Sequence, residues 1–187
     1  MAAASNSELR THTITLSEGR VTLRPLTETD WPILMRWCAD PEVLFYSEGD
    51  DVTWRTLEET QAIFRHVSQS AFCFVIERDG APAGDCWLQR MNLERLLSRF
   101  PDLDCRRIDL ELARDCWGQG VGGACLRLLT AFAFNAEGAD AVFGCDVADY
   151  NARSRRVFER EGFMVVETLD QPQGAKAAVT YDYARFR

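Results

Sequence analysis

Residues 20–27, RVTLRPLT, alternate apolar and polar positions, the two-residue period of a strand with one face on a core. The next stretch, TETDWPILMRWCAD, changes period. Ile33, Leu34 and Trp37 fall at helical spacing behind an early Pro32, which predicts a first helix. Residues 40–51 are rich in acid and read as a loop. An amphipathic pattern over 53–67 predicts a second helix, with Thr53 as its cap. SAFCFVIERDGAPAGDCWLQRMNL reads as a hairpin turning at Asp79-Gly80. Residues 94–106 are polar and irregular. RIDLELA (107–113) alternates cleanly, with Ile108, Leu110 and Leu112 on one face and Asp109, Glu111 and Ala113 on the other. A glycine-rich loop follows. After it, Val121, Cys125, Leu128, Leu129 and Phe132 share one helical face. DAVFGCDV (140–147) reads as a buried strand, NARSRRVFEREGF (151–163) as a helix ended by Gly162, and MVVETL and AVTYDYARF as closing strands. The order is that of an α/β domain on a mixed sheet.

Composition narrows the picture. The 187 residues, 47% of them apolar, suit one domain over 13–187, with 1–12 expected as a disordered tail. No apolar run is long enough for a membrane span, and the N-terminus lacks the basic-then-apolar order of a secretory signal. Seven cysteines without a C-x-x-C pair argue against a disulfide framework or a metal site; reduced thiols and a cytoplasmic location are expected. A net charge of −8 speaks against a nucleic-acid partner and for cationic ones. Of 21 basic residues only Lys176 is lysine, so no Gly-Lys-Ser/Thr phosphate loop exists.

The string CWGQGVGGACL places Gly118, Gly120, Gly122 and Gly123 directly before a helix. Glycine lets a ligand approach backbone N–H groups, and a helix N-terminus attracts anions, phosphate above all. Gly118-x-Gly120-x-x-Gly123 formally matches a dinucleotide fingerprint, with Glu137 and Asp140 near the ribose-acid offset. Too little chain surrounds it for two βαβαβ halves.

Two segments in order carry a better match. CWGQGVGGACL resembles the acyl-CoA pyrophosphate loop of the GCN5-related N-acetyltransferase (GNAT) family, and NARSRRVFEREGF resembles that family's later Asn-x-x-Ser, helix, Gly-Phe motif. VTLRPLTETDW is similar to the family's first strand and helix. The resemblance, over about residues 20–185, implies a mostly antiparallel sheet of six or seven strands flanked by about four helices. It implies acetyl-CoA as co-substrate, with no metal. The donor would be bound by Leu112, Ala113, Trp117, Gly118, Gln119, Gly120, Val121, Gly122, Gly123, Asn151 and Ser154. Two positions depart from the pattern. Trp117 stands where many members have Arg or Gln, and Phe158 where many have the Tyr that protonates the departing thiolate.

N-acetylation needs a neutral amine, whereas an alkylamine near pKa 10.4 arrives protonated. Asp109 and Glu111, on one strand face, are the candidates to bind the ammonium and relay its proton. A backbone N–H near Leu112 or Ala113 is the simplest oxyanion donor. Asp146 ends the following strand, and Asp-x4-Asn (146–151) resembles aminoglycoside 6'-N-acetyltransferases. Glu48, Asp50 and Asp51 lie in the acidic loop, and Tyr46 and Trp87 can wall a sugar site. One of Arg153, Arg155 and Arg156 can meet the CoA 3'-phosphate. The acids favour a cationic small-molecule amine, an aminoglycoside first. A ribosomal-protein N-terminus, a polyamine, or a non-catalytic CoA-binding role are the alternatives, in a monomer or homodimer.

Overall fold

The computed structural model describes residues 8–48 and 52–187. Among the described residues, eight strands form one sheet in the order β1-β2-β3-β4-β5-β6-β8-β7. The strands are β1 (Leu16–Glu18), β2 (Val21–Pro25), β3 (Ala71–Arg78), β4 (Ala81–Arg90), β5 (Cys105–Leu112), β6 (Ala141–Ala148), β7 (Met164–Asp170) and β8 (Val179–Phe186). The helices among the described residues are α1 (Trp31–Cys38), α2 (Pro41–Ser47), α3 (Leu57–Ser68), α4 (Glu94–Arg99), α5 (Val121–Asn135) and α6 (Ala152–Arg160).

The sheet is one strand larger than expected, because the short β1 pairs with β2. The two extra helices arise where the chain read as loop. Asp40 caps α2, accepting from the Glu42 N–H at 2.9 Å, and Pro41 opens its first turn. Asp-Pro-Glu is thus a helix start inside the acidic stretch 40–51. The single turn and a half of α4 is held by Leu96, which is fully buried. The cap of α3 is Thr56 rather than Thr53, because only Thr56 has Glu59 three residues on to complete a capping box. Residues 8–12 also depart from expectation. Leu9 is buried, its N–H donates to Glu28 at 3.0 Å, and the His12 ring lies 3.0 Å from the Cys73 carbonyl.

Alternation on β5 divides the molecule. Ile108, Leu110 and Leu112 pack toward α5, with Val121, Cys125 and Leu129. Ala113 packs on the other side, with Trp37, Phe64 and Val75 under α1 and α3. The sheet is antiparallel except at β5–β6, whose parallel pairing covers only Cys105–Arg107 against Ala141–Phe143. Beyond it the two strands part. β6 is bent there by a register shift between Gly144 and Val147, and Asp146 sits in the left-handed region at φ 56°. The result is a crevice within the sheet, opening toward the start of α5.

Candidate active site

The crevice has two mouths. One, of about 290 Å³, lies against α5 and α6 and is lined by Leu112, Trp117, Gly118, Gly120, Val121, Gly122, Gly123, Asn151 and Ser154. Gly120 caps α5 at φ 82° and Gly118 sits at φ 71°, and a Cβ on either would meet nothing within 4 Å. Only glycine takes this backbone without strain, and the space before the helix N-terminus is left clear for an anion. Arg153, Arg156 and Arg160 of α6 line the same mouth. Their i, i+3, i+7 spacing sets them on one helix face, a signal present in the sequence. Arg155 points elsewhere, donating to the Asp149 carbonyl at 3.1 Å.

Trp117 acquires a role from this face. The Arg153 guanidinium lies 3.8 Å from the Trp117 ring centroid and 4.4 Å from that of Tyr46. The tryptophan thus holds by cation–π contact an arginine supplied from α6. Its indole N–H donates to the Leu112 carbonyl at 2.9 Å, pinning the loop to the end of β5. Gln119 is different: its amide folds back onto the Asp115 carbonyl and is not part of the lining. Ala113 is likewise outside it. Its methyl is buried and its N–H is committed to Ala83 at 2.9 Å, so it cannot be an oxyanion donor. N–H directions alternate along an antiparallel pair. Those of Leu110 and Leu112 therefore turn from β4 toward the opened side.

The other mouth, of about 680 Å³, is walled by α2, α3, β4–β6 and the segment 171–180. Tyr46, Glu48, Trp87, Asp109, Glu111 and Asp146 all line it; Asp50 and Asp51 lie outside the described residues. Tyr46, Ser47, Glu111, Asn151, Ser154 and Phe158 line both mouths and mark the junction. Phe158 is buried against Phe163 and Tyr183, 5.2 and 5.3 Å between centroids. Three hydroxyls, of Tyr46, Ser47 and Ser154, share the junction with it.

The acids of this mouth are mostly spoken for. Arg107 donates to Asp109 at 2.6 Å, Arg95 to Asp146 at 2.8 Å, and Arg55 pairs with Glu48. Asp146 therefore does not stand as a bare anionic anchor. Its N–H and Arg95 both bind the fully buried Asp182. Glu111 has no arginine partner: its Oε1 is buried without a hydrogen bond. Burial raises its carboxyl above the ordinary range, opposed by Ser47, Cys38 and Arg55. Burial also raises Asp109, but the Arg107 charge and hydrogen bond pull it back. Directly across the ladder from Glu111 is Asp85, 2% exposed, a residue the sequence patterns do not single out.

Residues 20–164 match the family model described as an acetyltransferase (GNAT) domain. The chain belongs to the GNAT family. It is an acetyl-CoA-dependent acetyltransferase. Solved structures agree on the fold. RimJ of Mycobacterium smegmatis, in complex with CoA-disulfide, is 20% identical with a TM-score of 0.75, over 93% of this chain and 88% of that one. A GNAT-family acetyltransferase from Bacillus anthracis is 15% identical, at 0.74 over 92% and 98%. The aminoglycoside acetyltransferase AAC(6')-Ib, solved with ribostamycin and coenzyme A, is 24% identical, at 0.73 over 90% and 94%.

Proposed function

We propose that this GNAT enzyme acetylates a primary amine, with Glu111 as the group that takes the amine's proton. The observation that carries this is the unpartnered buried oxygen of Glu111 at the junction of the two mouths. Acetyl-CoA supplies an acyl thioester, whose thiol leaves far more readily than an alkoxide. The α5 N-terminus with Gly118 and Gly120, flanked by Arg153, Arg156 and Arg160, fits its phosphates by dipole, bare backbone and charge. Glu111 holds the incoming ammonium and accepts one proton, freeing the nitrogen lone pair. The outward N–H of Leu110 or Leu112 meets the negative charge that then gathers on the acetyl oxygen. Phe158 has no proton to give, so the departing sulfur takes one from a junction hydroxyl or water, or leaves as thiolate.

The charge balance of the acceptor mouth bears on the substrate. Among the described lining residues, Glu48, Asp85, Asp109, Glu111 and Asp146 face Arg55 and Arg107, with Arg95 on Asp146. Burial and the nearby Glu111 charge raise Asp85 well above the ordinary carboxylate range, opposed by Trp37, Arg55 and Cys38. Arg95 is shared with the buried Asp182, so it offsets Asp146 only in part. Fewer acids of this mouth stand free than a count along the sequence suggests, which favours an acceptor with one ammonium, such as a peptide α-amine, over a polycation. The aminoglycoside reading keeps the support of the half-exposed Asp146 carboxylate.

CoA release, followed with a thiol reagent, tests both levels. The panel holds a short peptide with a free N-terminus, a simple monoamine, spermidine and kanamycin. Release with peptide or monoamine supports the single-ammonium site; release with kanamycin alone overturns it. Glu111→Gln should lower kcat by about 100-fold or more while leaving acetyl-CoA affinity within twofold, the range expected for a lost general base. An unchanged kcat removes Glu111 from the role.

A further inference from the structure

Asp85 and Glu111 are direct partners on neighbouring strands, and with Cys38 they place oxygen, oxygen and sulfur within 4.8 Å of one another. Two carboxylates this close in a dry site do not both ionise at neutral pH. The surroundings choose which one keeps its proton. Asp85 is sealed beneath α1, its Oδ2 accepting from the Trp37 indole N–H at 2.5 Å and from the Cys38 thiol at 3.8 Å. Glu111 instead reaches the junction, where Ser47 and Arg55 face it.

We propose that Asp85 is a positioning residue: a neutral carboxylic acid paired with Glu111, so that the pair rests with one proton and one negative charge, and the charge sits on the oxygen facing the acceptor. This rests on Glu111 being the proton acceptor. When the ammonium arrives, the pair and substrate together are neutral. Transfer of one proton from nitrogen to Glu111 leaves two neutral acids and a neutral amine. The proton step therefore erases a buried ion pair rather than creating charge in a low-dielectric site. A lone glutamate there would suffice chemically. The second acid adds a fixed polar partner without a second charge, which two ionised carboxylates would supply at the cost of mutual repulsion.

Among the described residues, the groups facing the pair from each element packed on it are few. They are Cys38 on α1, Ser47 at the end of α2, Glu48 and Arg55 before α3, Cys73 on β3, Cys86 on β4 and Asp109 on β5. Burial pushes the Cys38, Cys73 and Cys86 thiols upward, so none is charged at pH 7. Glu48 and Arg55 neutralise one another, as do Asp109 and Arg107. The titration of the pair therefore falls to Asp85 and Glu111 themselves.

Carboxyl carbon NMR on the intact protein tests this without any acceptor amine. Protein labelled at the Asp and Glu carboxyls is titrated from pH 4 to 9, with Asp85→Asn and Glu111→Gln assigning the two signals. Asp85 should stay at its protonated shift through pH 7 while Glu111 is ionised. In Glu111→Gln, loss of the neighbouring charge should lower the Asp85 midpoint by about two pH units, from Coulomb's law at this separation and an effective dielectric of about 20. An Asp85 carboxyl already ionised at pH 6, or a midpoint unmoved in Glu111→Gln, overturns the proposal. A second variant covers function once an acceptor turns over. Asp85→Ala, which removes the neutral partner, should lower kcat and shift its pH profile, and Asp85→Asn, which keeps a neutral group accepting from Trp37, should restore much of both. A 100-fold fall in Asp85→Asn with native circular dichroism and acetyl-CoA affinity would mean that Asp85 acts as an anion. If Glu111→Gln leaves turnover intact while the titration behaves as stated, the pair exists and the choice of base is what fails.

Discussion

Gly144 and Phe158 offer the sharpest test of how the crevice is built. A Cβ added at Gly144 would lie 2.1 Å from Phe158 Cζ and 2.3 Å from Cε1. Carbon atoms rest at about 3.5–4.0 Å, so the ring would have to withdraw by about 1.5 Å. Tyr183 stacks on it at 13° between planes and Phe163 meets its edge, so the ring can yield only toward the crevice it lines, at the expense of those contacts. Gly144→Ala should therefore cost about 1–3 kcal/mol, the usual penalty of overpacking a dense core. Phe158→Ala, which empties the same space, should cost about 3–5 kcal/mol. Together they should not add. The alanine methyl at 144 moves into room the ring has left, so the double variant should be more stable than the sum by about 1–3 kcal/mol. Urea unfolding of the four proteins measures this, provided the slope of stability against urea is shared. Additivity within about 0.5 kcal/mol would refute the contact, and with it the account of why this position is glycine and that one phenylalanine.

Other expectations follow from the donor mouth and the surface. Arg156→Ala should weaken CoA binding by about tenfold, one charge-assisted contact, with a reduced salt dependence, while Arg155→Ala leaves affinity unchanged; calorimetry at two ionic strengths separates them, and equal losses would mean the α6 face is misassigned. Gly120→Val forces a β-branched residue to φ 82° in front of α5 and should abolish CoA binding, so retained affinity would sink the loop assignment. Glu28, bound by Arg65, the Leu9 N–H and the Trp31 indole, has its carboxyl lowered to about 2. Its folded value lies below its unfolded one, so its stabilisation is full above about pH 4.5 and fades as pH falls toward 2. Glu28→Gln should lower Tm at pH 7 and approach the wild-type Tm near pH 2; a gap that does not change with pH contradicts this.

Much of this was legible in the chain because local rules wrote it. The clean alternation of 107–113 announced a strand with acids on one face, and the glycine string announced a helix start open to an anion. The basic face of α6 was equally present, but a cluster read as 153, 155 and 156 hides the spacing 153, 156, 160. The acidic loop concealed α2 because its acids drew attention as charges rather than as caps. What the sequence withheld is pairing across distance. Arg107 lies two residues from Asp109 on β5, on the same face by the strand's own period, whereas the arginines at 55 and 95 that quench Glu48 and Asp146 come from other segments, and no periodicity reveals them. Asp85 was invisible for the same reason: only the β4–β5 register sets it beside Glu111.

The parting of β5 from β6 carries a consequence for the protein's lifetime. A sheet interrupted in its middle has interior backbone groups awaiting a partner, and an amide-bearing chain that fills the gap serves as a short guest strand. Its binding energy is then folding energy. At 100 times the dissociation constant a ligand adds about 2.7 kcal/mol of stability. A cell rich in acetyl-CoA would thus keep this enzyme folded as well as supplied. Without the ligand that increment is absent, and the crevice is the part of the sheet that loses it.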